Sequence, residues 1–312
     1  MALATRLAFG KELIELANTK NFIVCNADTK ACALENFGKL YPAREFSIGI
    51  AEQNLVGVAA GLASCGHKVF VSTFAVFASM RACEQVRQFI CYPKLNVTVV
   101  GTHVGLQVGG DGATHAAIED ISIFRAMPNM TIVQPSDEAS ARAAARVAVD
   151  FEGPLYVRLH RNPAQDVHDA VSYKFELGKA NTLVDNGNDA VLFVSGVLLS
   201  KALEVSENLR VEGVNVKVIE ISTIKPLDEE TILKAAEQTG AVVTIEDHNI
   251  IGGLGAAVAE ILGEQRPTRM KRIGIRDQFA SSGDPELLYA EHKMAVSDIM
   301  EATNALIDAK RG

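Results

Sequence analysis

The chain holds 312 residues with a net charge of −8, and 48% of them are hydrophobic and 22% charged. That length suits two domains with substantial cores, and an acidic balance with no basic cluster excludes a nucleic-acid footprint. No apolar run reaches membrane-spanning length.

In chain order, the opening MALATRLAFGKELIELA reads as an amphipathic helix with charges throughout, not as a signal peptide. Strands are expected at 21–25, 68–71, 96–100, 131–133 and 154–159. Helices are expected at 52–64, 75–91, 118–124 and 137–149, the last capped by Ser136 with Asp137 and Glu138 in its first turn. Continuous apolar strands separated by helices predict a parallel sheet covered on both faces. The stretch 161–188 is polar and rich in Asn, Asp and Gly, and reads as a linker with a short irregular or β excursion. The alternation then restarts, with strands at 190–195, 215–219, 241–245 and 270–275. Helices follow at 198–210, 228–238, 254–263 and 293–309, and Asp284-Pro285-Glu286 opens one more. The expectation is an α/β protein of two consecutive domains with mostly parallel sheets, 1–165 and 189–312, joined by a linker at 166–188. Five cysteines without a CxxC pair point to reduced thiols rather than disulfides or zinc ligands, and so to a cytoplasmic protein.

The first candidate for chemistry is Glu52 in Gly49-Ile50-Ala51-Glu52-Gln53-Asn54. The run LVGVAAGLASC behind it is apolar or small, so the helix should be buried and carry the carboxylate inward. A buried carboxylate must be paired or hold a proton. The plainer reading is an acid favoured by the dipole of a helix start. The second candidate is the loop Gly101 to His115, which leaves a strand and gathers His103, Asp111, His115 and several glycines. Ligands of open α/β sheets bind beyond the carboxyl ends of strands. Zinc is a poor fit there, because the histidines are far apart and no third ligand stands nearby. Phe74, Phe77 and Met80 recur at helical spacing, which makes a core stripe or the wall of a pocket for a flat ring.

Together, GIAEQN, STFAVF, GTHVGLQVGGDGATH, QPSDEASA and YVRLHR, in that order over residues 49–161, resemble the pyrimidine-binding domain of transketolase and its thiamin-diphosphate relatives. Ile224-Lys225-Pro226-Leu227-Asp228, Ile245-Glu246-Asp247-His248 and Gly252-Gly253-Leu254-Gly255 resemble segments of the family's last domain, so the resemblance covers nearly the whole chain. The amino-terminal domain that holds a metal on the cofactor's diphosphate has no counterpart in this sequence. The chain therefore looks like the carboxy-terminal subunit of a split transketolase.

The resemblance implies thiamin diphosphate as cofactor, with Mg2+ or Ca2+ bound by an amino-terminal partner subunit, sugar phosphates as substrates, and a heterotetramer. It makes Glu52 the glutamate that activates the aminopyrimidine, and Asp28, Phe74, Phe77 and Met80 its neighbours in the cofactor pocket. Met80 stands where many relatives have Tyr or Arg, and for Asp28 a turn or cap role is the alternative. His103, Asp111 and His115 match contacts to the sugar. Arg6 and Arg161 match the arginines that grip its phosphate, a task suited to a planar guanidinium fork. Cys32 stands where relatives often add a serine to that grip, and Ala113 replaces a common proline. Arg158, His160 and the 246–255 segments read as structural. The competing functions are the beta subunit of a 2-oxo acid dehydrogenase, a deoxyxylulose-phosphate synthase and a non-catalytic partner subunit.

Overall fold

The computed structural model describes residues 3–29 and 34–311; Cys32 lies outside them. The first half runs α1 (Thr5–Leu16), β1 (Ile23–Asn26), α2 (Phe37–Leu40), β2 (Glu45–Ser47), α3 (Glu52–Ser64), β3 (Val69–Phe74), the short α4 (Cys83–Gln85), β4 (Val97–Thr102), α5 (Asp120–Arg125), β5 (Thr131–Val133), α6 (Glu138–Asp150) and β6 (Leu155–Leu159). The second runs β7 (Asn181–Asp185), β8 (Ala190–Val194), α7 (Leu199–Val211), β9 (Val216–Glu220), β10 (Thr223–Lys225), α8 (Glu229–Thr239), β11 (Ala241–Asn249), α9 (Leu254–Gln265), β12 (Arg269–Ile275), α10 (Pro285–Glu291) and α11 (Val296–Arg311).

These form two α/β domains. The first sheet has the order β10-β5-β6-β4-β3-β1-β2 and the second β12-β11-β8-β9-β7. Every residue of β4, β6, β8 and β9 is buried, as expected for parallel strands with both faces covered. The antiparallel members are two edge strands. β7 pairs with β9 inside the stretch read from sequence as linker. β10 leaves its own domain and pairs with β5, placing Thr223 opposite Val133. Three-residue edge strands such as β2 and β10 carry too little alternation to announce themselves in a sequence.

Two local details differ from expectation. The cap of α6 is Asp137, not Ser136: the Asp137 carboxylate accepts the Ser140 N–H at 2.9 Å, completing a capping box. Ser136 instead donates its hydroxyl to Glu220 Oε1 at 2.6 Å, across the domain boundary. The helix expected at 75–91 is interrupted, with π-helical turns at Phe77–Arg81 and Val86–Cys91 flanking α4. The Ser79 hydroxyl donates back to the Ala75 carbonyl at 2.8 Å, a bond that competes with the helix ladder. No glycine or proline marks the spot, so periodicity gave no warning.

The domains meet through buried charge. Arg158 on β6 is fully buried and pairs with Asp120, Nε to Oδ2 at 2.8 Å and Nη2 to Oδ1 at 3.1 Å. Its Nη2 also donates to the Asp247 carbonyl on β11 at 3.1 Å, and Tyr156 donates to Asp120 at 2.6 Å. Removing one member of such a pair typically costs about 3–5 kcal/mol.

A second clasp forms at His168. Its Nδ1 lies 3.0 Å from Asp137 Oδ2 and its Nε2 2.9 Å from Glu220 Oε2, with the Tyr173 ring tilted against it at 4.1 Å. Burial works to lower its pKa, but hydrogen bonds and charge from Asp137 and Glu220 prevail and raise it to about 9. A raised folded value means the clasp stabilises fully below the unfolded value of about 6.5 and loses that contribution as pH rises through 9. His168→Gln is expected to lower unfolding free energy at pH 6 by about 3 kcal/mol. It should also flatten the decline in stability between those two pH values, measured by urea unfolding. An unchanged pH slope would show that His168 is not the titrating group.

Candidate active site

The site sits beyond the carboxyl ends of β3, β4 and β6, three neighbours in the first sheet. β3 ends at Phe74, β4 leads into His103, and β6 leads into Arg161. Parallel α/β sheets place ligands at this edge.

Glu52 opens α3, whose Leu55, Val56, Ala59, Ala60 and Ala63 are buried, and the helix brings the carboxylate in with it to 1% exposure. Glu52 Oε2 accepts a hydrogen bond from Arg81 Nη1 at 2.8 Å. Glu52 Oε1 is buried and has no hydrogen-bond partner among the described residues. A buried acceptor without a donor is costly, so this oxygen marks a position where a donor belongs.

Arg81 was not among the residues singled out from sequence. Its guanidinium lies 4.3 Å from the Phe77 ring centroid, a cation–π contact at i, i+4. The i, i+3, i+6 spacing had put Met80 on the face of Phe74 and Phe77. The π turn at Phe77–Arg81 carries more residues than an α turn, which swings Met80 out to 45% exposure and sets Arg81 over Phe77. The available signal was an arginine four residues beyond an aromatic.

The aromatic wall continues into the loop after β4. Phe74 lies 6.0 Å from Phe77, 4.4 Å from His103 and 5.7 Å from His115, and Phe77 lies 5.4 Å from His115. His103 is held at φ +60, a backbone region sparsely used outside glycine. Burial, together with the charges of Arg6 and Arg161, lowers its pKa to about 4, so its ring is neutral at neutral pH. The Thr102 hydroxyl faces the Thr73 carbonyl at 3.5 Å, and His103 Nδ1 lies 3.0 Å from Thr102 Oγ1. The direction of the bond between Nδ1 and the Thr102 hydroxyl follows the ring tautomer, and Nε2 takes the complementary role.

A polar group completes the site. Arg161 Nη1 lies 3.1 Å from Asp111 Oδ2 and donates to the Val108 carbonyl at 2.6 Å, while Arg6 Nε donates to the Arg161 carbonyl at 3.0 Å. The fold thus brings Glu52, Phe74, Phe77, His103 and His115 into one cluster and sets Arg6, Asp111 and Arg161 beside His103. Asp28 is exposed at φ +59, with its N–H bonded to Asn26 Oδ1 at 3.0 Å. No contact among the described residues joins it to the cluster. Among the described residues, no group of three or more His, Cys, Asp or Glu side chains could hold a metal ion.

A buried acid with one free oxygen, joined through Arg81 to the half-buried Phe77 and Phe74, fits the aminopyrimidine of thiamin diphosphate, a planar ring with nitrogen at its edge. Fold and site together define a two-domain α/β chain with a buried carboxylate and an aromatic cluster at the carboxyl edge of its first sheet. Residues 1–165 match the family model of the transketolase pyrimidine binding domain, and residues 178–299 match that of the transketolase C-terminal domain. The chain belongs to the transketolase family, whose reactions depend on thiamin diphosphate. It is 39% identical to a 6-deoxy-6-sulfo-D-fructose transketolase subunit of Clostridium sp. (strain MSTE9), over 96% of this chain and 92% of that one. It is also 39% identical to one of the subunits of the apulose-4-phosphate transketolase of Phocaeicola vulgatus, over 93% of each chain. Among solved structures it is similar to a split-gene transketolase described as an inactive β4 tetramer, with a TM-score of 0.90, 39% identity and 99% of both chains covered.

In the wild-type chain the His103 ring is expected to titrate near pH 4 by NMR. Arg161→Ala should move that midpoint upward by removing a nearby cation. A wild-type midpoint near the ordinary value of about 6.5 would contradict the burial and charge described for this ring.

Proposed function

We propose that this chain is the pyrimidine-binding subunit of a split transketolase, which moves a two-carbon ketol unit from a ketose phosphate to an aldose phosphate. The observation that carries this reading is Glu52, buried with Oε1 free and Oε2 held by Arg81, whose guanidinium lies over Phe77. Thiamin diphosphate supplies, when bound, a carbon nucleophile and an electron sink for breaking the bond next to a ketose carbonyl.

The residues of this chain divide the remaining work. Glu52 Oε1 bonds the aminopyrimidine and exchanges a proton with its ring nitrogen, while Arg81 fixes the other oxygen. Phe74 and Phe77 flank the ring and keep water from it. His103 bonds a sugar hydroxyl, with His115 beside it along the same aromatic wall. Arg161 and Arg6 attract the phosphate, and Asp111 holds the Arg161 guanidinium until a phosphate competes for it.

In this reading the diphosphate and its Mg2+ or Ca2+ are held by an amino-terminal partner subunit. The active form is then a heterotetramer of two copies of each chain, working in the cytoplasm. The related split-gene protein whose β4 assembly is described as inactive supports dependence on a partner. The two relatives named for sulfofructose and apulose phosphate act on different sugars, so the particular sugar here is set by contacts that vary within the family. Ketol transfer from xylulose 5-phosphate to ribose 5-phosphate, with thiamin diphosphate and Mg2+, is expected only when the chain is mixed with its partner. Glu52→Gln should lower that rate by at least about 10²-fold. Pyruvate decarboxylation by the mixture without ketol transfer would favour the 2-oxo acid dehydrogenase reading instead.

A further inference from the structure

The second domain reaches into the substrate loop of the first. Asp247, on β11, is 1% exposed. Its Oδ1 accepts the Leu106 N–H at 2.9 Å, and its Oδ2 accepts the Tyr289 hydroxyl of α10 at 2.9 Å. Gly105 stands at φ +62, and a Cβ there would lie 2.1 Å from Asp247 Oδ2, so the loop backbone rests directly on this carboxylate. Further along the loop, a Cβ at Gly112 (φ +69) would lie 2.2 Å from Ser282 Oγ, and the Gly283 N–H points to the Gly109 carbonyl at 3.4 Å.

The loop held this way carries His103, Asp111 and His115. Its first-domain supports are the Gly105 N–H to the Ala117 carbonyl at 2.9 Å, Arg161 on the Val108 carbonyl and Asn162 on the Gln107 carbonyl at 3.0 Å. Among the described residues, Asp247 is the charged side chain that comes from the other domain and meets the backbone between His103 and Asp111. A carboxylate receiving a backbone N–H makes a strong, directional bond, and a loop that presents three polar side chains must be fixed to well under an ångström to bind tightly.

We infer that Asp247, braced by Tyr289, is a positioning residue that sets substrate affinity by fixing the loop bearing His103, Asp111 and His115. This gives the second domain a role in substrate binding, although none of its residues is among those assigned to the substrate. The inference rests on the transketolase reading for the identity of the substrate, but the tether itself does not.

Asp247→Ala and Asp247→Asn separate the roles, since asparagine keeps an oxygen for Leu106 and alanine keeps none. Hydrogen exchange of residues 103–115 in the full chain reports the tether. Thiamin diphosphate affinity by calorimetry, with KM and kcat for xylulose 5-phosphate in the assembled enzyme, reports its use. Asp247→Ala should speed loop exchange, with β3 and β8 unchanged, and raise KM by about tenfold, while kcat and cofactor affinity stay within about threefold. Asp247→Asn should restore most of both. Tyr289→Phe, which removes a single hydroxyl and keeps the ring, should show a smaller effect of the same kind even if the alanine variant fails to fold. Unchanged loop exchange in all three variants would overturn the proposal. So would a parallel loss of cofactor affinity, or an asparagine variant as impaired as the alanine one. A wild-type assembly that turns over no sugar phosphate would sink the functional reading instead, and the exchange comparison would then decide the tether by itself.

Discussion

Arg158 has no access to water, and its position decides where most of the site can be. It grows from β6, grips Asp120 at the start of α5, and touches the carbonyls of Ala117 and Asp247. One side chain thus ties together a central strand of the first sheet, the return end of the loop that follows β4 and the second domain. The other end of that loop is fixed by β4, which pairs with both β3 and β6. A loop anchored at both ends can hold His103 in a strained backbone conformation that a free loop would relax. Desolvating an arginine is expensive, and only an acid at hydrogen-bond distance makes it tolerable. The Arg158–Asp120 pair lies within the first domain, and it holds the guanidinium where Nη2 reaches the Asp247 carbonyl of the second.

The site built on this frame mixes two environments. Its floor is apolar and aromatic, where Phe74 and Phe77 meet the edges of two imidazoles. Its rim is charged, with Arg6, Arg161 and Asp111 more open to water. That gradient suits a ligand with a flat heterocycle at one end and a charged group at the other. Glu52 lies at the buried end, where the weak screening of a low-dielectric interior strengthens whatever it bonds. Exposed Ile50, Phe46 and Met80 lie close in sequence to these residues or to the strand that precedes them. In the proposed reading that apolar margin is where the partner chain completes the pocket.

Much of this was legible in the sequence because it depends on local pattern. Apolar runs of strand length gave the central strands, and the small-residue run after Glu52 foretold its burial. The glycines at 105, 109 and 112 marked a loop of unusual backbone. What escaped depends on contacts between distant segments or on subtle helix geometry. Arg81 lies at i, i+4 from Phe77, a spacing the sequence offered, and it is the π turn that turned Met80 out of the wall. The cap of α6 fell to Asp137 because Ser136 was engaged by Glu220, 84 residues away. Asp247 looked like part of an interface segment, and only the fold shows that it receives the backbone N–H of Leu106, in the loop after β4.

The short strand β10 carries a consequence for how the molecule is made. The first sheet gains its last edge from residues 223–225, after the chain has already entered the second domain. While the ribosome is still short of that point, the β5 edge has no neighbour on its outer side, and an unpaired edge is a template for pairing with another chain. The first domain thus cannot finish folding as it emerges, and a version cut before residue 223 would carry an open sheet edge. Synthesis order and sheet order are interleaved here, and one buried hydrophobic cluster runs from Val99 and Phe124 of the first domain to Phe193 and Leu254 of the second.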